Sequence, residues 1–399
     1  MAGLNVMLTV SCLEELAAAA SQALAGQVVQ CDFPGQTAQL LREPYGVVLG
    51  ITPWNAPLIL AARAAANPII AGNTVVLKTS ELSPVSNSII AQVFAEAGLP
   101  KGVLNVIHAS VADTPKVVES IIANPIVRKV NFTGSTRVGS IIGELCGRYI
   151  KPSVLELGGA AVVIVLEDAD LEGAAKNAVY GSFLHSGQIC MSTNNVLVHD
   201  AIADEFIKVV QKEMAKVQAG PSENPEDNLL RGVFTTSHAS RMGDLVKDAV
   251  SKGAKVVVGD AAATSQLPAG SNVVQPVVLD GLTDEMNISS EEIFGPLMGI
   301  IRFKTDAEAV QLANKLEYGL SGAVHGRDLL RATKVARQLE INLVHINTFT
   351  LHDNAMIPHG GWKKSGYGRF NGFEGIREFT QTKCISFVDQ SIAPPIPAL

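Results

Sequence analysis

A cysteine behind a glycine turn, an acid in an apolar run and an amide between two prolines are the residues of this chain best suited to covalent chemistry. Cys190 closes the run Gly187-Gln188-Ile189-Cys190. A thiolate is a much better nucleophile than a thiol, and an ordinary cysteine, with a pKa of about 8.5, is mostly protonated at neutral pH, so a site that uses it must activate it. The glycine suits a tight turn that leaves the sulfur open to a ligand. Taken alone, the same residue reads more readily as a buried structural cysteine. Glu156 lies in Val154-Leu155-Glu156-Leu157-Gly158, where an acid set among apolar neighbours suits a general base or, equally, a paired structural carboxylate. Asn55 stands in Thr52-Pro53-Trp54-Asn55-Ala56-Pro57. Its amide N–H can stabilise an oxyanion together with the backbone N–H of Cys190, or it can serve as a turn cap before Pro57.

Elements that position these residues are legible in the periodicity. Apolar, β-branched runs at Tyr45–Ile51, Thr74–Leu77, Val103–Ile107, Lys129–Phe132 and Ala161–Leu166 alternate with helical patterns at Ser86–Ala97, Thr114–Ala123 and Val138–Arg148. Such alternation predicts βαβ units around a parallel sheet. A second α/β lobe follows: helices over Leu171–Phe183, Ala201–Val217 and Ala239–Ser251, and strands over Val196–His199, Lys255–Val258, Val273–Leu279 and Leu297–Phe303. Lys129–Phe132, Thr133-Gly134-Ser135 and the helix from Val138 form a strand, a turn and a helix, so Ser135 and the helix N-terminus can face a pyrophosphate. No Gly-x-Gly-x-x-Gly follows an early strand. Gly26–Arg42, with its Pro34-Gly35 turn, predicts a projecting hairpin of the kind that joins a neighbouring subunit's sheet. Ala219–Asn224 and Ala261–Ser271 read as surface loops.

Composition limits the partners. The chain has 399 residues, 47% hydrophobic and 17% charged, which suits two lobes with large buried interiors. Lys plus Arg is 31 against 38 for Asp plus Glu, a net charge of −7 with no basic run, so nucleic acid is not expected as a partner. The tract Leu58–Leu77 is interrupted by Arg63, Asn67, Pro68, Gly72 and Asn73, and the run Leu4–Leu13 lacks a basic residue before it. Neither fits a bilayer span or a secretory signal, so the expectation is a cytoplasmic protein without a membrane partner. Cys12, Cys31, Cys146, Cys190 and Cys384 are scattered without metal-ligand spacing, so no metal and no disulfide is expected.

Five motifs in one order, Thr52 to Pro57, Phe132-Thr133-Gly134-Ser135, Leu155-Glu156-Leu157-Gly158-Gly159, Gly187 to Cys190 and Glu291-Glu292-Ile293-Phe294-Gly295-Pro296, resemble those of the aldehyde dehydrogenase superfamily. Pro358-His359-Gly360-Gly361 and Ser365-Gly366-Tyr367-Gly368-Arg369 extend the resemblance over almost the whole chain. His345-Ile346-Asn347, His352-Asp353 and the run Gly187–Thr193 are most similar to the branch acting on salicylaldehyde, vanillin and related aromatic aldehydes. The resemblance implies an α/β fold with a Rossmann-type cofactor lobe, an α/β catalytic lobe and a small oligomerisation hairpin. It divides the chain into a cofactor domain (1–25, 46–157 and 359–379), a catalytic domain (158–358) and an oligomerisation segment (26–45 and 380–399). It implies oxidation of an aldehyde to the acid through a Cys190 thiohemiacetal and thioester, with Glu156 as the base for water and Asn55 as the oxyanion donor. It assigns cofactor contacts to Trp54, Lys78, Glu81, Phe132, Gly134, Ser135, Leu157, Glu292 and Phe294. Lys78 and Glu81 match adenosine-ribose contacts, and an acid there repels a 2′-phosphate, so NAD is expected before NADP. A homodimer or homotetramer is the implied assembly.

The chain departs from the family pattern in four places, one of them Glu340-Ile341-Asn342, which lacks a common Gly. Members generally carry further helices before the segment that begins here at Met1, so an N-terminally shortened chain with bared apolar surface is expected. His359 replaces the usual Phe of its motif, and Ala160 follows Gly158-Gly159 where Lys is frequent. The rival reading is a truncated, redox-inactive relative serving as a binding or scaffold subunit. Thioester transfer to coenzyme A is a third, against which Glu156 argues because a base serves the water.

Overall fold

The computed structural model describes residues 2–220, 229–265, 267, 268, 270–389 and 391, so parts of both expected loops, 221–224, 266 and 269, and the tail 392–399 of the expected oligomerisation segment lie outside it. The chain divides into two compact units: residues 1–155, 354–359 and 368–399, and residues 156–353 and 360–367. This division assigns 354–358 to the first unit and 156, 157 and 360–367 to the second, and it keeps the hairpin within the first.

The first unit opens with α1 (Ala2–Ala23), whose buried positions Asn5, Thr9, Cys12, Leu16, Ala19 and Ala23 recur every three or four residues and make one stripe. By length and composition α1 is apolar enough to cross a membrane; in this fold the stripe packs on α2 (Pro57–Ile70). The hairpin β1 (Gln27–Gln30) and β2 (Gln36–Pro44) precedes β3 (Val47–Ile51), the strand that leads into α2. Then come β4 (Thr74–Lys78), α3 (Pro84–Glu96), β5 (Leu104–Ile107), α4 (Thr114–Ala123), β6 (Val127–Thr133), α5 (Thr136–Arg148) and β7 (Ser153–Glu156). The strands lie in the order β7-β6-β3-β4-β5. The pairs of β3 with β4 and β6, and of β4 with β5, are parallel, as crossover helices require. Proline stands in the first turn of α2, α3 and α4, where its missing N–H costs nothing.

The second unit carries β8 (Ala161–Val165), α6 (Leu171–Phe183), β9 (Thr193–His199), α7 (Ala203–Met214), α8 (Thr236–Ser251), β10 (Lys255–Val258), β11 (Val277–Asp280), β12 (Leu297–Phe303), α9 (Asp306–Asn314), β13 (Ser321–His325), α10 (Leu329–Ala336) and β14 (Leu343–Ile346). Seven strands form one sheet in the order β10-β11-β12-β9-β8-β13-β14, parallel except for the β10 edge. β8 is buried at every position. Val163 and Val165 pack towards α6 and α7, whereas Val162 and Ile164 pack towards α9 and α10. A strand covered on both faces must be apolar throughout, and each such side chain contributes about 1.5–3 kcal/mol. The chain returns to the first unit in α11 (Gly372–Arg377) and β15 (Thr380–Val388), which pairs antiparallel with β2 over nine residues and completes a sheet of order β1-β2-β15.

Candidate active site

Three consecutive residues before the candidate nucleophile take left-handed backbone angles: His185 at φ 55°, Ser186 at 55° and Gly187 at 70°. This turn reverses the chain between α6 and β9. A Cβ at Gly187 would strike the carbonyl oxygen of Gly295, so only glycine fits. The strain at His185 and Ser186, of order 1–3 kcal/mol each, is held by hydrogen bonds. Ser186 Oγ donates to Arg231 O at 2.5 Å, Gln188 Oε1 accepts from Phe234 N at 2.9 Å, and Ser192 N donates to Ile189 O at 2.8 Å. Cys190 is left half-buried at the rim of a small apolar cluster of Met191, Leu320, Leu343 and Leu351.

Glu156 ends β7 and is 1% exposed, between buried Leu155 and Leu157. Its carboxylate lies within 4.8 Å of Cys190 Sγ. Sequence reasoning proposed both residues separately, and the second unit brings them together. Gly159, three residues on, fits closely against Cys190: a Cβ there would meet the carbonyl oxygen of Cys190. Its N–H donates to Glu292 Oε1 at 3.0 Å. The neighbouring Gly158 is bare for the same reason, since a Cβ would collide with Glu292 Oε2. The Gly-Gly pair thus lets Cys190, Glu156 and Glu292 converge.

Glu292 retains some surface, yet its carboxylate is enclosed by protein. Burial pushes this carboxyl up to about 7, the nearby Glu156 adding to the rise, while the Gly159 N–H and Arg241 oppose it. Unfolded, the group titrates near 4.5. Between these values the folded chain holds a proton that the unfolded chain has released, so stability falls as pH rises from 4.5 to 7 and stays reduced above it. Glu292→Gln keeps an acceptor for Gly159 and removes the charge. The variant is expected to exceed the parent by roughly 2–3 kcal/mol at pH 8 and to match it at pH 4.5. Urea unfolding at the two pH values measures this; equal differences at both would show that the carboxyl is not desolvated.

The segment around Glu292 is held from α8 by residues that sequence reading missed. Arg241 donates to Glu292 O at 2.8 Å, Ile293 O at 3.0 Å and the Glu291 carboxylate at 2.8 Å. His238 Nε2 lies 2.8 Å from Phe294 O, and because a carbonyl only accepts, Nε2 carries the proton. Burial holds this imidazole below its ordinary pKa, although its bond to the Phe294 carbonyl pulls the other way. Phe294 sits at φ 53°, an outlier kept in place by these contacts. No local pattern marks Arg241 or His238, whose partners lie about 50 positions away.

The remaining expected residues belong to the first unit. Asn55 is buried in the bend between β3 and α2. The N-cap position of α2 belongs to Ala56, with Pro57 following, so the helix start is not built on Asn55. Trp54, Lys78, Glu81, Phe132, Gly134 and Ser135 line one cavity of about 550 Å³. Lys78 and Glu81 form an ion pair at 3.6 Å. Ser135 caps α5 by accepting from Val138 N, and the first turn of α5 opens on the cavity. A Cβ at Gly134 would lie 2.5 Å from the Phe132 ring, which fixes glycine in the turn. A helix N-terminus for a pyrophosphate, a carboxylate for ribose hydroxyls and apolar walls such as Val118 and Ile142 fit the adenosine half of a dinucleotide.

Known proteins share this sequence and backbone path. The aldehyde dehydrogenase family model matches residues 1–385. A vanillin dehydrogenase of Pseudomonas fluorescens is 46% identical over 384 residues, covering 96% of this chain and 78% of that protein. A salicylaldehyde dehydrogenase of Pseudomonas putida is 43% identical over 385 residues, with the same coverage of 96% and 78%. The crystal structure of a salicylaldehyde dehydrogenase from Pseudomonas putida G7 complexed with salicylaldehyde matches with a TM-score of 0.93 at 41% identity, covering 99% of this chain and 80% of that one. Relatives this similar across nearly all of the present sequence, and a shared backbone path, leave one assignment: the chain belongs to the aldehyde dehydrogenase family.

Proposed function

We propose that the chain oxidises aromatic aldehydes to carboxylic acids, with NAD as the preferred electron acceptor and NADP as the alternative. The reading rests on the Cys190 sulfur within 4.8 Å of the Glu156 carboxylate, and the aromatic class is supported by the vanillin and salicylaldehyde dehydrogenases at 43–46% identity. The thiol proton passes to a base, and the thiolate adds to the aldehyde carbon. The resulting alkoxide needs donors, a role the proposal gives to the Asn55 amide and the Cys190 N–H. Lys78, Glu81, Gly134, Ser135 and Glu292, with Trp54, Phe132, Leu157 and Phe294, are the residues proposed to hold the dinucleotide. When bound, it supplies the two-electron acceptor. Loss of the aldehyde hydrogen with its electron pair leaves a thioester on Cys190. Glu156 is close enough that a water bonded to its carboxylate reaches the thioester carbon. The water proton passes to Glu156 and from there to the departing sulfur, which releases the acid and restores the thiol. Absorbance of reduced nicotinamide with a panel of aromatic and aliphatic aldehydes, with both cofactors, tests the proposal. No reduction with any aldehyde would overturn it in favour of a non-redox binding role.

A homo-oligomer is part of the same reading. β15 is an edge strand whose residues after Thr380 are all exposed, among them Ile385, Phe387 and Val388. A long exposed edge with apolar residues at its end is a template for pairing with another chain. Ile385→Lys combined with Phe387→Asp is expected to convert the assembly to monomers, read by sedimentation velocity. An unchanged sedimentation coefficient would place the contact elsewhere.

A further inference from the structure

The segment after β14, residues 347–353, is tied to the strand that follows Cys190 by a pair of hydroxyls. Thr193 Oγ1 and Thr350 Oγ1 lie 2.9 Å apart, with residue exposures of 1% and 0%. Ser321 Oγ donates to Thr350 O at 2.6 Å. Thr193 opens β9 three positions after Cys190, and Ser321 opens β13. Thr350 therefore bridges the starts of two strands, and α6 is shaped to admit it. A Cβ at Gly181 would come to 2.5 Å from Thr193 Oγ1 and 3.2 Å from Thr350 Oγ1. One position earlier on each segment, the Tyr180 and Phe349 rings pack at 5.0 Å between centroids. One position later, Leu351 packs in the cluster of Met191, Leu320 and Leu343 that Cys190 joins.

Two buried hydroxyls that satisfy each other gain little net stability over a pair of valines of the same shape, but they fix a spacing and a direction that methyl groups do not. The spacing fixed here is that between the strand start next to the nucleophile and the residue next to Leu351. Cys190 and Leu351 are the two partly buried members of this cluster, so Leu351 is an apolar wall beside the sulfur. A ring carried on a carbon bonded to Cys190 has surface to set against such a wall, and the methyl of acetaldehyde has little.

We propose that Thr193 and Thr350 are positioning residues whose hydroxyl pair fixes the Leu351 wall relative to Cys190 and thereby favours ring-bearing over small substrates. The proposal rests on the aldehyde reading above, and its test has one arm independent of turnover. In kinetics, Thr350→Val is expected to lower kcat/KM for benzaldehyde about tenfold, chiefly through KM, and to leave acetaldehyde within twofold; Thr350→Ser restores benzaldehyde. In the second arm, alkylation of Cys190 followed by peptide mass compares phenacyl bromide, an aromatic carbonyl reagent, with iodoacetamide. The ratio of the two rates is expected to fall about tenfold in Thr350→Val and to recover in Thr350→Ser. Thr193→Val and Thr193→Ser repeat the test from the other side should the first valine variant fold poorly. Equal losses for large and small reagents, unchanged ratios, or serine variants that behave as valine would overturn it. Should the parent fail to oxidise any aldehyde, the functional reading falls while the alkylation ratio still decides the positioning role.

Discussion

Replacing Cys190 by alanine is expected to abolish aldehyde oxidation, lowering kcat/KM by at least about 10⁴-fold, while leaving the fold in place. The size follows from the chemistry. Without the sulfur there is no covalent hemiacetal and no acyl group held beside Glu156. The fold is insulated because Cys190 is only half-buried and belongs to a satellite cluster of Met191, Leu320, Leu343 and Leu351 rather than a main core. The turn that presents it is held by Gly187 against the Gly295 carbonyl, by Ser186 bonded to Arg231 and by Gln188 bonded to Phe234. Loss of one partly exposed atom there is expected to cost less than about 1 kcal/mol. Steady-state absorbance, urea unfolding and quenching of protein fluorescence by reduced nicotinamide separate the outcomes. Turnover lost with folding and cofactor binding retained supports covalent catalysis; turnover within tenfold of the parent would overturn it.

The parts of this site that could be read from sequence are those in which local geometry demands a residue type. Gly187 is required by its left-handed angle and the nearby Gly295 carbonyl, and Gly158 and Gly159 by the carboxylate and carbonyl that press on them. Each leaves a glycine in a short motif, and the motif is visible. β8 was legible because a strand covered on both faces admits no polar residue. Cross-chain supports leave no such trace. Arg241 reaches a carbonyl 51 positions away, Gln188 a backbone N–H 46 positions away, and the Thr193 hydroxyl a partner 157 positions away. Arginine on a helix and threonine at a strand start are ordinary in isolation, and their roles exist only once the sheet is assembled. The helix α1 escaped reading for a different reason: an alanine- and leucine-rich segment with weak amphipathicity gives a faint periodic signal, and its buried stripe includes Asn5 and Thr9.

Glu156→Gln is the variant that separates the two halves of the reaction, and its steady-state rate is expected to fall by about 10²–10⁴-fold. Glutamine has nearly the shape of glutamate, so the buried position at the end of β7 is filled as before, and the loss reports proton transfer rather than packing. If Glu156 serves only the water, the first oxidation proceeds at close to the parent rate. Reduced nicotinamide then appears as a burst of one equivalent per active subunit, and the acyl group remains on Cys190 as a mass increment in the intact protein. If Glu156 also receives the thiol proton, the burst itself slows, and the slowing is relieved as pH rises because bulk hydroxide deprotonates the thiol. Stopped-flow absorbance across pH, with mass spectrometry of the quenched protein, distinguishes these cases. Added coenzyme A tests the leaving step. A thioester that is stable in water but discharged by the added thiol shows that hydrolysis had depended on the carboxylate. Undiminished steady turnover to the acid would remove Glu156 from the mechanism and leave its closeness to Cys190 without a chemical role.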